Sequence, residues 1–156
     1  MKSILIIVLI LVIGAFGFIY WQNSRTPQLG HEGGQLKPLS SNPNGVSTQT
    51  SDTDKLVSPW GFKDSREETM QALVIAVQEY GGAKVVRQED DYLYVIFTTP
   101  LMRFHDDAEF YLDTDSRLVH FRSASRAGKS DMGLNRKRHE QLAELYLQAD
   151  NTSVQR

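Results

Sequence analysis

The stretch DDAEFYLDTDSRLVHFRS, residues 106–123, decides the fold. Apolar and polar residues alternate on both sides of the loop Asp113-Thr114-Asp115-Ser116, which is the period of a strand pair with one buried face. If Leu112 lies opposite Arg117, then Phe110 faces Val119 and Ala108 faces Phe121, and that face becomes core. The other face carries Asp107, Glu109 and Tyr111 with Leu118, His120 and Arg122. A slip of one residue would set Phe110 against His120 and mix the faces, so the first pairing is expected. It places Asp107 opposite Arg122.

The preceding segments extend this sheet. AKVVRQE (83–89) and YLYVIFTT (92–99) read as strands around an Asp90-Asp91 turn, and Pro100 ends the second. Tyr92, Tyr94 and Ile96 alternate with Leu93, Val95 and Phe97. Both faces of that strand are apolar, so it is expected to be central and covered on both sides. Asp64 or Ser65 can cap a helix, with Glu67 or Glu68 as its capping-box partner. Met70, Leu73, Val74, Val77 and Tyr80 then share one helical face. Gly81-Gly82 stops that helix. A last helix is expected from about Asn135 to Ala149, with Leu142, Leu145, Tyr146 and Ala149 on its apolar stripe. The order helix, two hairpins, helix predicts an α+β domain, its antiparallel sheet of about four strands flanked by helices.

The N-terminal segment has a different character. Ser3 to Trp21 carries no charge. About 20 apolar residues in a helix span a bilayer core of roughly 30 Å. Tyr20 and Trp21 lie at its end, where amphipathic rings favour the headgroup level. A cleaved signal peptide is the competing reading, with Ala15-Phe16-Gly17 as its cleavage site, but the apolar run continues past that point. Lys2 and the amino group precede the span and Arg25 follows it. This bias favours a single-pass anchor with the domain extracytoplasmic, which means periplasmic in a Gram-negative cell. The expected organisation is an anchor over 1–25, a flexible linker over 26–58, the domain over 59–150 and a disordered tail over 151–156. Within the linker, LSSNPNGVSTQ (39–49) is a turn-rich patch that the domain can tether. The formal net charge of −2 provides no global drive toward nucleic acid. The absence of cysteine removes disulfides and thiolate metal sites.

Polar chemistry concentrates in SASRAGKSDMGLN, residues 123–135. Gly128-Lys129-Ser130 looks like the end of a phosphate loop, but Ser123 stands where that loop needs glycine. The preceding strand also belongs to a hairpin. Arg122, Arg126, Lys129, Arg136, Lys137 and Arg138 form a basic run interrupted by Asp131. Cations at a helix N-terminus are unfavourable and call for anionic compensation. Acidic residues of the hairpins can supply it, from Glu89, Asp90, Asp91, Asp106, Asp107, Glu109, Asp113 and Asp115. An anionic small molecule or a lipid headgroup held by Arg126 and the helix N-terminus can supply it as well. His105, Asp106, Asp107 and His120 are a low-specificity metal set, and Asp106 and Asp107 point to opposite faces of a regular strand. No metal or other cofactor is expected.

RFHDDAEFYLD and HFRSASRAGKSDMGLNRKRHEQL resemble the domain-of-unknown-function family numbered 1499, over roughly residues 38–147. Its pattern is an Asp-Asp pair before a strand, then Arg-Ser-Ala-Ser-Arg and Gly-x-Ser-Asp-x-Gly-x-Asn-x-x-Arg. Here these are Asp106, Asp107, Arg122 to Arg126, Gly128, Ser130, Asp131, Gly133, Asn135 and Arg138. Lys129 stands where the family often has an aromatic, and Gly45 where many members carry Cys. The resemblance supplies no activity. It implies that Arg122, Ser125, Arg126, Ser130, Asp131, Asn135 and Arg138 act as one constellation. In it Asp131 can accept from Arg126 or Arg138, and Asn135 can cap the last helix. Together with Asp106 and Asp107 these are the candidate ligand-binding residues. The expected function is a non-enzymatic binding or envelope-accessory module, using that constellation or the Tyr92/Tyr94/Ile96 face. The alternative is a hydrolase-type enzyme with Asp106 or Asp107 as acid or base.

Overall fold

Helix α1 (Lys2–Ser24) opens the chain in the computed structural model, which describes residues 1–149. It is long and apolar enough to cross a membrane, and none of its apolar window is buried against the rest of the protein. Its last turn nevertheless grips the domain. Asn23 is buried, donates from Nδ2 to the Arg103 carbonyl and accepts the His105 N–H on Oδ1.

The segment expected to be a flexible linker carries structure. β1 (His31–Glu32) and β2 (Gln35–Leu36) form a small antiparallel ribbon. β3 (Gly45–Ser47) and β4 (Trp60–Gly61) both join the main sheet. Side chains hold the intervening loops. Gln49 bonds Gly34 and Leu36, Lys55 donates to the Ser40 carbonyl, and Asn44 donates to the Ser125 and Gly128 carbonyls. The reason is local. Strands of two or three residues show no apolar period, and amide side chains acting on backbone replace a hydrophobic face.

α2 (Arg66–Tyr80) forms as expected. Ser65 caps it by accepting the Glu68 N–H, Glu67 and Glu68 complement the helix dipole, and Gly81 closes it at a φ of 80°. β5 (Ala83–Gln88), β6 (Tyr92–Thr98), β7 (His105–Asp113) and β8 (Leu118–Ser125) follow, and α3 (Leu134–Gln148) ends the described chain. The six-stranded sheet runs β3-β8-β7-β6-β5, and β4 shares the outer edge of β8 with β3. All of these pairings are antiparallel. The class is α+β, with two more short strands in the sheet than expected. The expected tail over 151–156 lies outside the described residues.

β6 is central and covered on both sides. Leu93, Val95 and Phe97 enter the main core with Phe110, Phe121, Leu73, Val77, Leu142 and Tyr146. Tyr92, Tyr94 and Ile96 pack on the other face under Leu29 and Leu36. The suggested Tyr92/Tyr94/Ile96 binding face is therefore occupied by the protein's own N-terminal segment.

The β7–β8 register differs from the expected one by two residues. Leu112 pairs with Val119, Phe110 with Phe121 and Glu109 with Arg122, while Asp107 faces Ala124. A two-residue shift preserves both faces but changes every partner. The turn explains the shift. The Asp113 carboxylate accepts the Asp115 and Ser116 N–H groups, and Arg117 takes a left-handed φ of 54°. The closing pair is therefore Asp113–Leu118, and the loop moves on by one residue.

Trp60 closes the core between sheet and helices. It stacks on Phe121 and Tyr146, and its indole N–H lies 3.0 Å from His139 Nε2. The Ser58 carbonyl is 2.9 Å from the same nitrogen. One nitrogen cannot accept from Trp60 and donate to Ser58 at once. The buried indole has no access to water and exposed Ser58 does, so we assign Nε2 as the acceptor on a neutral ring.

Burial holds the His139 imidazole below its ordinary range, and burial does the same to His105 and His120. Unfolded histidine protonates near pH 6.5. Below that pH the unfolded chain binds more protons than the folded one. This contribution to stability is therefore complete above about pH 6.5 and is lost as pH falls through the depressed values. Melting temperature should fall as the protein is taken from neutral pH into the mildly acidic range, with a shallower slope for His139→Gln. Identical slopes would show that His139 does not titrate against folding.

Candidate functional site

Asp106 and Asp107 are neighbours on β7, so their side chains leave on opposite faces. On the helix-covered face, Asp106 Oδ2 accepts from Arg138 Nη2 at 2.6 Å and Oδ1 accepts from Ser125 Oγ. Arg138 Nη1 donates to Asn135 Oδ1, which also accepts from Ser123 Oγ. Asn135 Nδ2 reaches the Asn44 carbonyl, Ser125 Oγ and Asp131 Oδ2. Asp106, Ser123, Asn135 and Arg138 are all buried. Arg138 Nε is buried without an acceptor, and the guanidinium lies 4.6 Å from the Phe97 ring centroid. That π face supplies part of what the missing acceptor does not.

On the other face, Arg126 grips Asp107 with two bonds, Nε at 2.8 Å and Nη2 at 2.7 Å. Such a fork is stronger and more directional than a single bond. It raises the Arg126 pKa further. Tyr94 Oη donates to the same carboxylate, and burial together with that bond pushes the phenol pKa up. One pleat along, Arg122 Nη1 donates to Glu109 Oε2 at 3.1 Å, and its Nε donates to the Lys37 carbonyl. Glu109 Oε1 accepts from Tyr92 Oη and from the Gly30 N–H. The ion pairs thus stitch residues 30–37 onto the sheet.

The structure brings Asp106, Ser125, Asn135, Arg138 and Asp131 together, and separately Asp107, Arg122 and Arg126. The sheet divides the two groups. Ser130 joins neither; its Oγ accepts the Met132 N–H in an exposed turn. Asp131 pairs with neither Arg126 nor Arg138. Its carboxylate accepts the Gly133 and Asn135 N–H groups, so it caps α3 itself, and Asn135 lies inside the first turn. The Asp131 carboxylate already occupies the helix N-terminus. That argues against the phosphate-loop reading of Gly128-Lys129-Ser130, because the Gly133 and Asn135 amides at the start of α3 are taken by a carboxylate and three residues separate Ser130 from the helix. Among the described residues, no three His, Asp or Glu side chains gather in metal-binding geometry.

A pocket of about 580 Å³ opens on the second face. Asp107, Arg122, Ser125 and Arg126 line it from the sheet, Ser40, Asn42 and Asn44 from the segment before β3, and Trp21, Gln22 and Arg25 from the end of α1, while the Ser125 hydroxyl itself is turned to Asp106 on the first face. Arg25 lies 4.1 Å over the Trp21 ring. Pairing leaves this region with a surplus of positive charge, since Asp107 and Glu109 offset Arg126 and Arg122 while Arg25 is exposed.

From sequence alone, Tyr92 and Tyr94 stand as a separate binding face and Glu109 as only one of several compensating acids, and Asn44 and Arg25 have no place in the site. Glu109 and Arg122 already shared the polar face of the expected hairpin, so the correct turn register would have paired them. Nothing in the sequence joins Arg25 to residues 122–126.

A family model described as Protein of unknown function (DUF1499) matches residues 35–145. No curated protein matches the chain.

Breaking a buried pair orphans its partner. Arg138→Met and Asp106→Leu should each cost roughly 3 kcal/mol or more, and the double variant should lose less than the sum. Lys129→Ala and Ser130→Ala should stay within about 0.5 kcal/mol. Thermal denaturation of the detergent-solubilised chain reads all of these. Additive losses for Arg138 and Asp106 would mean that the pair is not a unit.

Proposed function

The chain belongs to the DUF1499 family, and from that premise we propose a single-pass, membrane-anchored, extracytoplasmic binding module that holds an anionic group. The observation that carries this reading is the pocket shared by the end of α1 and the face of β8. It joins Trp21, Gln22 and Arg25 to Arg122 and Arg126. Two of the arginines are pre-positioned by carboxylates, and exposed Arg25, resting on the Trp21 ring with no carboxylate on it among the described residues, keeps its donors for a ligand. Preorganised donors lower the ordering cost of binding. A phosphate group on a lipid or on a soluble molecule matches the chemistry of guanidinium, hydroxyl and amide donors.

The hydrolase alternative has less support. Asp106 and Asp107 are buried and each is engaged by an arginine and a hydroxyl. A general acid or base has to exchange a proton with substrate or water. Ser125 Oγ donates to Asp106 and accepts from Asn135, with no histidine or lysine beside it in that network. Lys2 ahead of the span supports the extracytoplasmic side.

The test uses glycerol 1-phosphate with the full chain in neutral detergent, and phosphatidylglycerol nanodiscs in parallel. Binding should be saturable and salt-sensitive. Arg25→Gln should weaken it about tenfold, the loss expected for one charge-assisted bond. Binding to nanodiscs alone would identify the lipid as the source, and binding to both a soluble phosphate ester. No binding to either, or no effect of Arg25→Gln, would overturn the reading.

A further inference from the structure

Two loops meet the end of α1 at one end of the domain. β6 ends at Thr98, β7 begins at His105, β8 ends at Ser125 and α3 begins at Leu134. Loops 99–104 and 126–133 therefore lie side by side, tied by the Arg126 N–H to the His105 carbonyl. The last turn of α1 docks on the first loop through Asn23, and through Tyr20 Oη to the Met102 carbonyl. Trp21 and Gly128 line the same pocket, which brings the second loop to α1 as well.

Beyond α1 and the Met1 that precedes it, the two most exposed large apolar side chains of the described residues sit on these loops: Leu101 at 89 % and Met132 at 98 %. Scattered exposed apolar residues need no explanation, but a pair at the tips of adjacent loops beside a membrane-length helix does. Met132 is also held at a left-handed φ of 53°, a conformation that bulky side chains rarely adopt. Charge leans along the same axis. Exposed Arg25, Arg103 and Lys129 mark the α1 end against Asp131, while the turns at 89–91 and 113–117 carry Glu89, Asp90, Asp91, Asp113 and Asp115, offset there by Arg66, Arg87 and Arg117.

We propose that this end seats on the bilayer, with Leu101 and Met132 entering the headgroup–acyl boundary and Arg103 and Lys129 on anionic headgroups. Apolar tips flanked by cations give membrane affinity in this way, each basic residue adding to the attraction. The acidic opposite end is held off the surface. The seating rests on the anchor reading, does not depend on which leaflet α1 delivers the domain to, and is separate from anion binding in the pocket.

The chain has no cysteine, so single substitutions give unique labels. Leu101→Cys, Met132→Cys, Ser116→Cys and Val12→Cys, each carrying a polarity-sensitive fluorophore, are reconstituted as full chain into phosphatidylglycerol–phosphatidylcholine vesicles. The replaced side chains at 101, 116 and 132 are exposed, so the fold tolerates the labels. Labels at 101 and 132 should emit at shorter wavelength than at 116. A headgroup-attached nitroxide should quench them, and aqueous iodide should quench them several-fold less than 116. If 101 and 132 behave like 116 while Val12 is quenched from within the bilayer, the seating is wrong and the anchor stands. If Val12 is reached by iodide instead, both fall.

Discussion

The fold depends on two adjacent carboxylates that cannot point the same way. Asp106 and Asp107 leave β7 on opposite faces, and each is met by an arginine from a different part of the chain. Arg138 brings the first turn of α3 onto the sheet, and Arg126 pins the strand end that leads into it. Burying ions is costly, and the cost is met only where geometry is close and the remaining polar atoms find partners. Here nearly all do: Ser125, Tyr94 and Tyr92 complete the shells of Asp106, Asp107 and Glu109, Asn135 accepts from Arg138, and Arg138 Nε alone rests on the Phe97 ring instead of an acceptor. The clamps fix where the loops at the α1 end begin and finish, so they also set the shape of the pocket.

The helices, the four long strands and the two-sided burial of β6 were legible because each has a period or a stop residue. Ser65, Gly81 and Pro100 mark boundaries by their own chemistry. The register of the β7–β8 hairpin was legible only modulo two. Alternation reports the face and not the partner, and the Asp113 turn that selects the partner has no apolar signature. The same error hid the Arg122–Glu109 pair. The dense polar runs at 105–107 and 122–138 kept Asp106, Ser125, Asn135 and Arg138 in view. They did not reveal that the sheet runs between these residues and Arg126.

Residues 26–58 were the least legible, because side-chain amides and short bridges hold them rather than a hydrophobic stripe. Gly45 illustrates how tight this packing is. A Cβ there would sit 2.7 Å from the Ser123 carbonyl and 2.9 Å from Ala124 Cβ. In this chain glycine lets the strand carrying Asn44 close against β8, and Asn44 then reaches both Asn135 and the 126–128 loop.

The account makes the α1 end the working end of the domain, with a preformed positive pocket between anchor and sheet. Hydrogen exchange on the full chain compares nanodiscs of anionic lipid with nanodiscs of zwitterionic lipid, and so reads the whole surface at once. The account predicts slower exchange in anionic discs for amides in 40–44 and 126–133, with the 113–117 turn unchanged. Equal exchange in both lipids, or protection at the acidic turn instead, would contradict it.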